Sequence, residues 1–191
     1  MDKSTFRGNP FCTEDTRMKR FFLYRAASLL TLLFLLRIAN AKSSCQKYFS
    51  PNHKLHAVIQ SVLEPGEIIP ESVVSIYDSS SKLLQQKSYI SPDHEHGYNV
   101  AQLKWSADSK FCVWSLTSSG GHSPWHFPTD CYIQKCHQII NIDTQLNCGL
   151  TQAKFKLQLP HTLLSQRLIP NPEGEPKYAK LTIDLEKLKC R

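Results

Sequence analysis

Residues 118–128 read Ser-Ser-Gly-Gly-His-Ser-Pro-Trp-His-Phe-Pro and gather two imidazoles, an indole, two glycines and two prolines into one stretch. The glycines free the backbone, the prolines fix its direction, and Trp125 stands between His122 and His126 as a large apolar body flanked by polar rings. This is the chemistry of a binding surface. Trp125 would anchor a partner, while His122 and His126 would supply hydrogen bonds or metal ligation. The competing reading is a packed loop in which Trp125 and Phe127 cap the end of a β core.

A second group is Asp93-His94-Glu95-His96. Alternate residues of an extended segment face the same way, so His94 and His96 could present ring nitrogens to one divalent ion with Asp93 or Glu95 nearby. Two ligands from one strand are too few, and a third would have to come from His122 or His126. A solvated polar loop is the plainer reading. The chemistry of catalysis is harder to assemble. No G-x-S-x-G elbow occurs, carboxylates are scattered, no Gly-rich phosphate cradle is present, and Cys136 and His137 are chain neighbours, badly placed as nucleophile and base. The expected function is therefore a non-catalytic binding module for an unknown protein or small ligand. An extracytoplasmic metal-binding protein using the histidines of 93–96 and 122–126 is the first alternative, a hydrolase of undefined class the second. No cofactor is implied beyond that divalent metal.

The compartment is read from the other end of the chain. Lys19 and Arg20 precede an apolar run over residues 26–36, and Ala39-Asn40-Ala41 follows as a small-x-small cleavage site, the layout of a secretory signal. Arg25 and Arg37 bracket eleven residues. These make about 17 Å of helix, against the roughly 30 Å of hydrocarbon a membrane span must cross. Residues 1–41 are thus expected to be an N-terminal extension and signal peptide, with Met18 a second plausible start, and residues 42–191 one exported domain. That domain would reside in a periplasm or outside the cell, touching membrane only if the leading segment stays uncleaved. The chain's net charge is +7, but seven Lys/Arg against three Asp/Glu in the first 41 residues leave the domain near +3. Its interspersed charges lack the footprint of a nucleic-acid binder.

Six of the seven cysteines fall in the domain. In an oxidising compartment an even count favours disulfides, and at least two are expected among Cys45, Cys131, Cys136, Cys148 and Cys190, with Cys45–Cys190 as the preferred end-to-end pair. Cys112 lies in an apolar run and reads as a buried small hydrophobe.

The elements that must position these residues are strands. Ala101, Leu103 and Trp105 alternate with polar residues, as do Phe155, Leu157 and Leu159, and again Leu181, Ile183 and Leu185. Residues 111–116 lack alternation and suit a central strand covered on both faces. Weaker strands are expected over 57–63, 73–77, 83–89, 131–133 and 139–143, about nine in all. The two long connections, 91–99 and 117–129, are where function is expected on a rigid scaffold.

At residues 103–111, Leu-Lys-Trp-Ser-Ala-Asp-Ser-Lys-Phe, the chain resembles the repeat of TolB-like periplasmic β-propellers, with Ala107 and Ser109 standing where proline and glycine are usual. Residues 131–133 and 140–143 fall where that repeat has its third and fourth strands, and residues 74–78 look like the end of a preceding blade. The resemblance covers about 70 residues and implies a Trp packed between sheets and an Asp bonding turn amides. A closed ring needs at least about four blades of roughly 40 residues. The expected fold is therefore all-β, with propeller-blade-like sheets arranged as a sandwich or an open partial propeller.

Intact mass of the exported protein should correspond to a chain starting at Lys42; recovery of the full-length chain from membranes would establish an anchor instead.

Overall fold

The computed structural model describes residues 42–63, 68–120, 126–169 and 177–190. Within them the fold is all-β, with eleven strands in three antiparallel sheets. Sheet 1 follows the chain in order: β1 (Lys42–Phe49), β2 (Leu55–Leu63), β3 (Glu71–Asp78) and β4 (Leu83–Ser88). Sheet 2 repeats the plan with β5 (Tyr98–Trp105), β6 (Phe111–Ser118), β7 (Thr129–Ile133) and β8 (Gln138–Asn141), followed by a short helix α1 (Ile142–Leu146). Sheet 3 has β9 (Lys156–Gln158), β10 (Thr162–Ile169) and β11 (Lys177–Asp184), closed by a 3-10 helix at Leu185–Lys187.

Sheet 2 lies between the other two, and its residues alternate between two apolar layers. Cys112, Trp114, Leu116 and Tyr132 meet Leu55, Ala57, Ile59, Val74 and Ile76 of sheet 1. From the other face Phe111, Val113, Cys131, Ile133 and Ile140 meet Leu163 and Ile183 of sheet 3, with Leu150, Phe155 and Leu185 filling in. The first six residues of β6 are all buried, as the unbroken apolar run predicts. Trp105 packs against the first layer and donates from Nε1 to the Tyr48 carbonyl at 3.0 Å, tying the first strands of sheets 1 and 2.

Two turns are built alike, 56 residues apart. In one, Ser50 N–H donates to Leu55 O (2.9 Å), Leu55 N–H to Ser50 Oγ (3.0 Å), His53 N–H to Ser50 O (2.9 Å), Ser50 Oγ–H to Asn52 Oδ1 (2.9 Å) and Lys54 N–H to Asn52 Oδ1 (3.0 Å). The other makes the same five bonds with Ser106, Asp108, Ser109, Lys110 and Phe111 in the corresponding places, at 2.6–3.2 Å. His53 and Ser109 take the same left-handed conformation, φ 57° and 64°. The turns also touch, Asn52 N–H donating to Ser109 Oγ at 3.1 Å.

Several expectations are corrected. The described residues hold eleven strands where nine were expected: β1 carries no strand signal because its residues are mostly exposed and do not alternate, and β10 because its leucines come in a pair. Ala101 faces outward, since a bulge between Val100 and Gln102 turns Val100 into the core instead. Leu159 is 80% exposed in a turn closed by the cis Leu159–Pro160 bond, so β9 ends at Gln158. The stretch over 139–143 becomes helix at Ile142 because Asn141 caps it, accepting from Thr144 N.

The cysteine pairing differs too. Cys190 joins Cys136 rather than Cys45, across 54 residues, and this is the one disulfide among the described residues, where at least two were expected. Cys45 sits exposed on β1. Cys112 and Cys131 are buried in opposite apolar layers, so the sheet itself keeps them apart, and burial pushes both thiols up. Cys148 is a half-buried thiol beyond α1.

Trp114→Ala should lower unfolding free energy by about 3–5 kcal/mol in denaturant melts, the effect of emptying a large buried aromatic site. Val58→Ala, on the uncovered face of sheet 1, should stay below about 1 kcal/mol.

Candidate functional site

Among the described residues, chain direction sorts the connections to two ends. The tight turns at 50–54, 79–82, 106–110, 134–137 and 159–161 share one end, and residues 89–97, 119–120, 126–128 and 142–155 lie at the other. This loop end carries most of the site residues expected from sequence.

Its organiser is Glu71, the first residue of β3 and 1% exposed. Its carboxylate accepts from the N–H of Ser91 (2.7 Å), the hydroxyl of Ser91 (2.8 Å), the N–H of Gly97 (2.6 Å) and the hydroxyl of Ser119 (2.7 Å). The N–H of Ser119 donates to the Gly97 carbonyl at 3.0 Å. Both long connections thus converge on one buried carboxylate. Burial alone raises the Glu71 carboxyl, but bonds from Ser119, Ser91 and Gly97 outweigh it and hold the group below the usual glutamate value. Gly97 is sterically required, because a Cβ there would stand 2.3 Å from both Glu71 Oε1 and the Tyr89 carbonyl.

Asp93 to His96 form a turn rather than the extended segment expected, with His94 at φ 60°. His94 and His96 therefore do not share a face by alternation. His96 Nδ1 lies 2.6 Å from Asp93 Oδ2, and this bond raises the imidazole above its ordinary value. Asp93 is held well below the carboxylate range by the Ser91 hydroxyl, then by His96.

The second connection is pinned by Asp143. Its carboxylate accepts from Thr129 N (2.7 Å) and Leu150 N (2.8 Å), and Phe127 N–H donates to Leu150 O at 2.7 Å. His126 lies over Gly149, its Nε2 3.3 Å from Asp143 Oδ1, and that bond raises its imidazole; 47% of the side chain remains open to solvent. His122 and Trp125 lie outside the described residues.

A third buried carboxylate, Asp130, links sheets 1 and 2. It accepts from Lys87 Nζ (2.7 Å), Asn141 Nδ2 (2.9 Å) and the Tyr89 hydroxyl, which in turn accepts from Trp114 Nε1 (2.7 Å). Burial, then Asp130, drives the Tyr89 phenol far up.

The turn end holds a charged cluster that sequence reasoning missed. His161 Nδ1 is 3.0 Å from Asp108 Oδ2 and Nε2 is 3.4 Å from Asp184 Oδ1, so each ring nitrogen faces a carboxylate. Lys110 Nζ is 2.6 Å from Glu186 Oε1 and 3.7 Å from Asp108 Oδ2. Asp108, His161 and Glu186 make the one grouping of three such ligands among the described residues. The chain supplies its own cation there in Lys110. Asp108 also takes Lys110 N and Ser106 Oγ; burial raises its carboxyl, and the Ser106, Lys110 and His161 bonds bring it below the ordinary value. An open groove of about 1100 Å³ runs beside it over Phe111, Ile133 and the Cys136–Cys190 bridge. The signal for this cluster was the repeated Ser-x-Asx-x-x-apolar turn. The signal for Glu71 was an acid opening an otherwise apolar strand.

No protein-family model matches the chain, and neither a curated protein nor a solved structure matches it. No helix among the described residues is long and apolar enough to cross a membrane.

Because the Glu71 pKa is depressed in the fold, its stabilisation is complete above the unfolded value of 4.5 and is lost as pH falls through the folded one. Glu71→Gln should lower stability at neutral pH by about 1–3 kcal/mol, since an amide turns N–H groups toward buried donors. Denaturant melts from neutral pH to pH 3 should show that deficit shrinking; a constant deficit would contradict the assignment.

Proposed function

We propose that the protein is an exported, non-catalytic interaction module that holds a protein or small ligand at its loop end. The observation carrying this reading is the convergence of two long connections on buried Glu71, which gives a broad irregular surface the rigidity of the stack beneath it. The state of the carboxylates supports binding over catalysis: Glu71, Asp130 and Asp143 spend their oxygens on backbone and side-chain donors of the scaffold. His161 is likewise engaged at both nitrogens. Trp125 is the proposed anchor, flanked by His122 and by the half-exposed His126. Export through the 1–41 signal into a periplasm or the extracellular space belongs to the same proposal, and the Cys136–Cys190 bridge supports an oxidising destination. The kinship with TolB-like repeats is also proposed, supported by the paired Ser50 and Ser106 turns and by Trp105 between sheets.

Photo-crosslinkers placed at Glu95 and His126 in the native cell envelope should capture a shared partner that crosslinkers at Lys54 and Lys135, on the turn end, do not. Trp125→Ala should weaken that capture more than about tenfold, the scale of an interface hot spot, while leaving the melting temperature nearly unchanged. Capture from the turn end alone, or a large stability loss with capture retained, would overturn the reading.

A further inference from the structure

The three sheets are stacked in one sense. The matched turns make Leu55 of β2 the equivalent of Phe111 of β6. Leu55 and Ala57 cover sheet 2, and the corresponding Phe111 and Val113 cover sheet 3. Each sheet therefore meets the next with the same face. The reverse face of β6, with Cys112, Trp114 and Leu116, rests on sheet 1, and the corresponding residues of β2 are His56, Val58 and Gln60. At the far side Leu163 of β10 rests on sheet 2, which turns Leu164, Gln166 and Leu168 outward. The two outer faces of the chain are thus the two halves of a junction that it already makes twice internally.

The composition of those faces agrees. On sheet 1 the register lays Phe49, His56, Tyr77 and Leu83 in a row across all four strands, with ring centroids 5.5 Å apart for Phe49–His56 and 5.3 Å for His56–Tyr77. Phe49 and Leu83 are exposed, and Val58 and Val73 continue the face along β2 and β3. Burial, then Lys47, holds the His56 imidazole below its ordinary value against the opposing pull of Asp78. On sheet 3, Leu168 pairs with the exposed Tyr178 and Leu164 lies two rows along, past Gln166. The charges, Lys47, Lys156 and Lys180, stand on the flanking strands β1, β9 and β11.

We propose that a second copy of this chain occupies both faces, sheet 3 of each copy covering sheet 1 of the other and continuing the internal stacking. The described residues of one copy supply three sheets, so two copies supply six, within the roughly four to eight that close a radial stack, and three copies nine. The proposal is independent of what the loop end binds. Because rim lysines approach one another at each junction, moderate salt strengthens the association by screening.

Sedimentation of the chain from Lys42 onward, which contains both apolar layers, should show a monomer–dimer equilibrium that tightens with added salt. Val58→Asp and Leu168→Asp should each raise the dimer Kd more than about tenfold. Mixing the two variants should restore a dimer weaker than the parent, because one junction is intact in the mixture. Gln60→Arg and Gln166→Arg provide a second pair should either aspartate variant lose its β-sheet circular dichroism. A parent that is monomeric throughout, open polymers, sensitivity to Val58→Asp alone, or indifference to all four substitutions would each overturn the proposal.

Discussion

Everything in this fold depends on one sheet being covered twice. Along β6 six consecutive side chains are buried, alternately into one apolar layer and the other. A strand in that position tolerates neither a charge nor a one-residue slip, because either would send a polar group into hydrocarbon on one side or the other. Within one chain, sheets 1 and 3 are each covered on one face, and both borrow that cover from sheet 2. The thiols Cys112 and Cys131 follow from the same constraint: they are small apolar fillers of two different layers, not halves of a bridge.

Polar braces work on top of that packing. Glu71, Asp130 and Asp143 each join segments that the sheets alone would leave independent: two long connections, two sheets, and the ends of the 127–150 crossing. A buried carboxylate with several donors is specific in a way that apolar contact is not, since it fixes which backbone amide sits where. At the opposite end the Asp108–His161–Asp184 chain, the Lys110–Glu186 pair and the Cys136–Cys190 bridge hold the C-terminal residues of sheet 3 against sheet 2. The two ends are stabilised by different chemistry, and only the loop end leaves long stretches of backbone outside the ladders.

Much of this fold is legible in the sequence. Alternation identified β5 and β11, the unbroken apolar run identified β6, and turn residues placed most boundaries, because these signals are local. What escaped detection required knowing neighbours. Ala101 and Leu159 fit the alternating pattern yet point outward, one displaced by a bulge and the other drawn into a turn. The pairing of Cys136 with Cys190 depends on a turn of sheet 2 lying beside the tail of sheet 3, which spacing along the chain does not encode. The two histidine-bearing connections were recognised as the interesting loops, but their meeting point was not, since Glu71 is remote from both in sequence. The Ser50 and Ser106 turns match in sequence only when Asn52 and Asp108 are taken as equivalent acceptors.

The serial order of the strands bears on how the molecule is made. Each sheet is built from consecutive stretches of chain, every described strand pairing with its neighbour in sequence. Pairing between chain neighbours closes only short loops, so each sheet can zip as its residues emerge, without waiting for distant segments. Sheet 1 can form first and present its Leu55 face as a template for the next to condense upon, whereas Cys190 follows all three sheets in chain order. Its bridge to Cys136 therefore acts as a latch on a structure already laid down from the N-terminal side, and an emerging chain is most vulnerable in the interval when sheet 2 is complete but its second face is still bare.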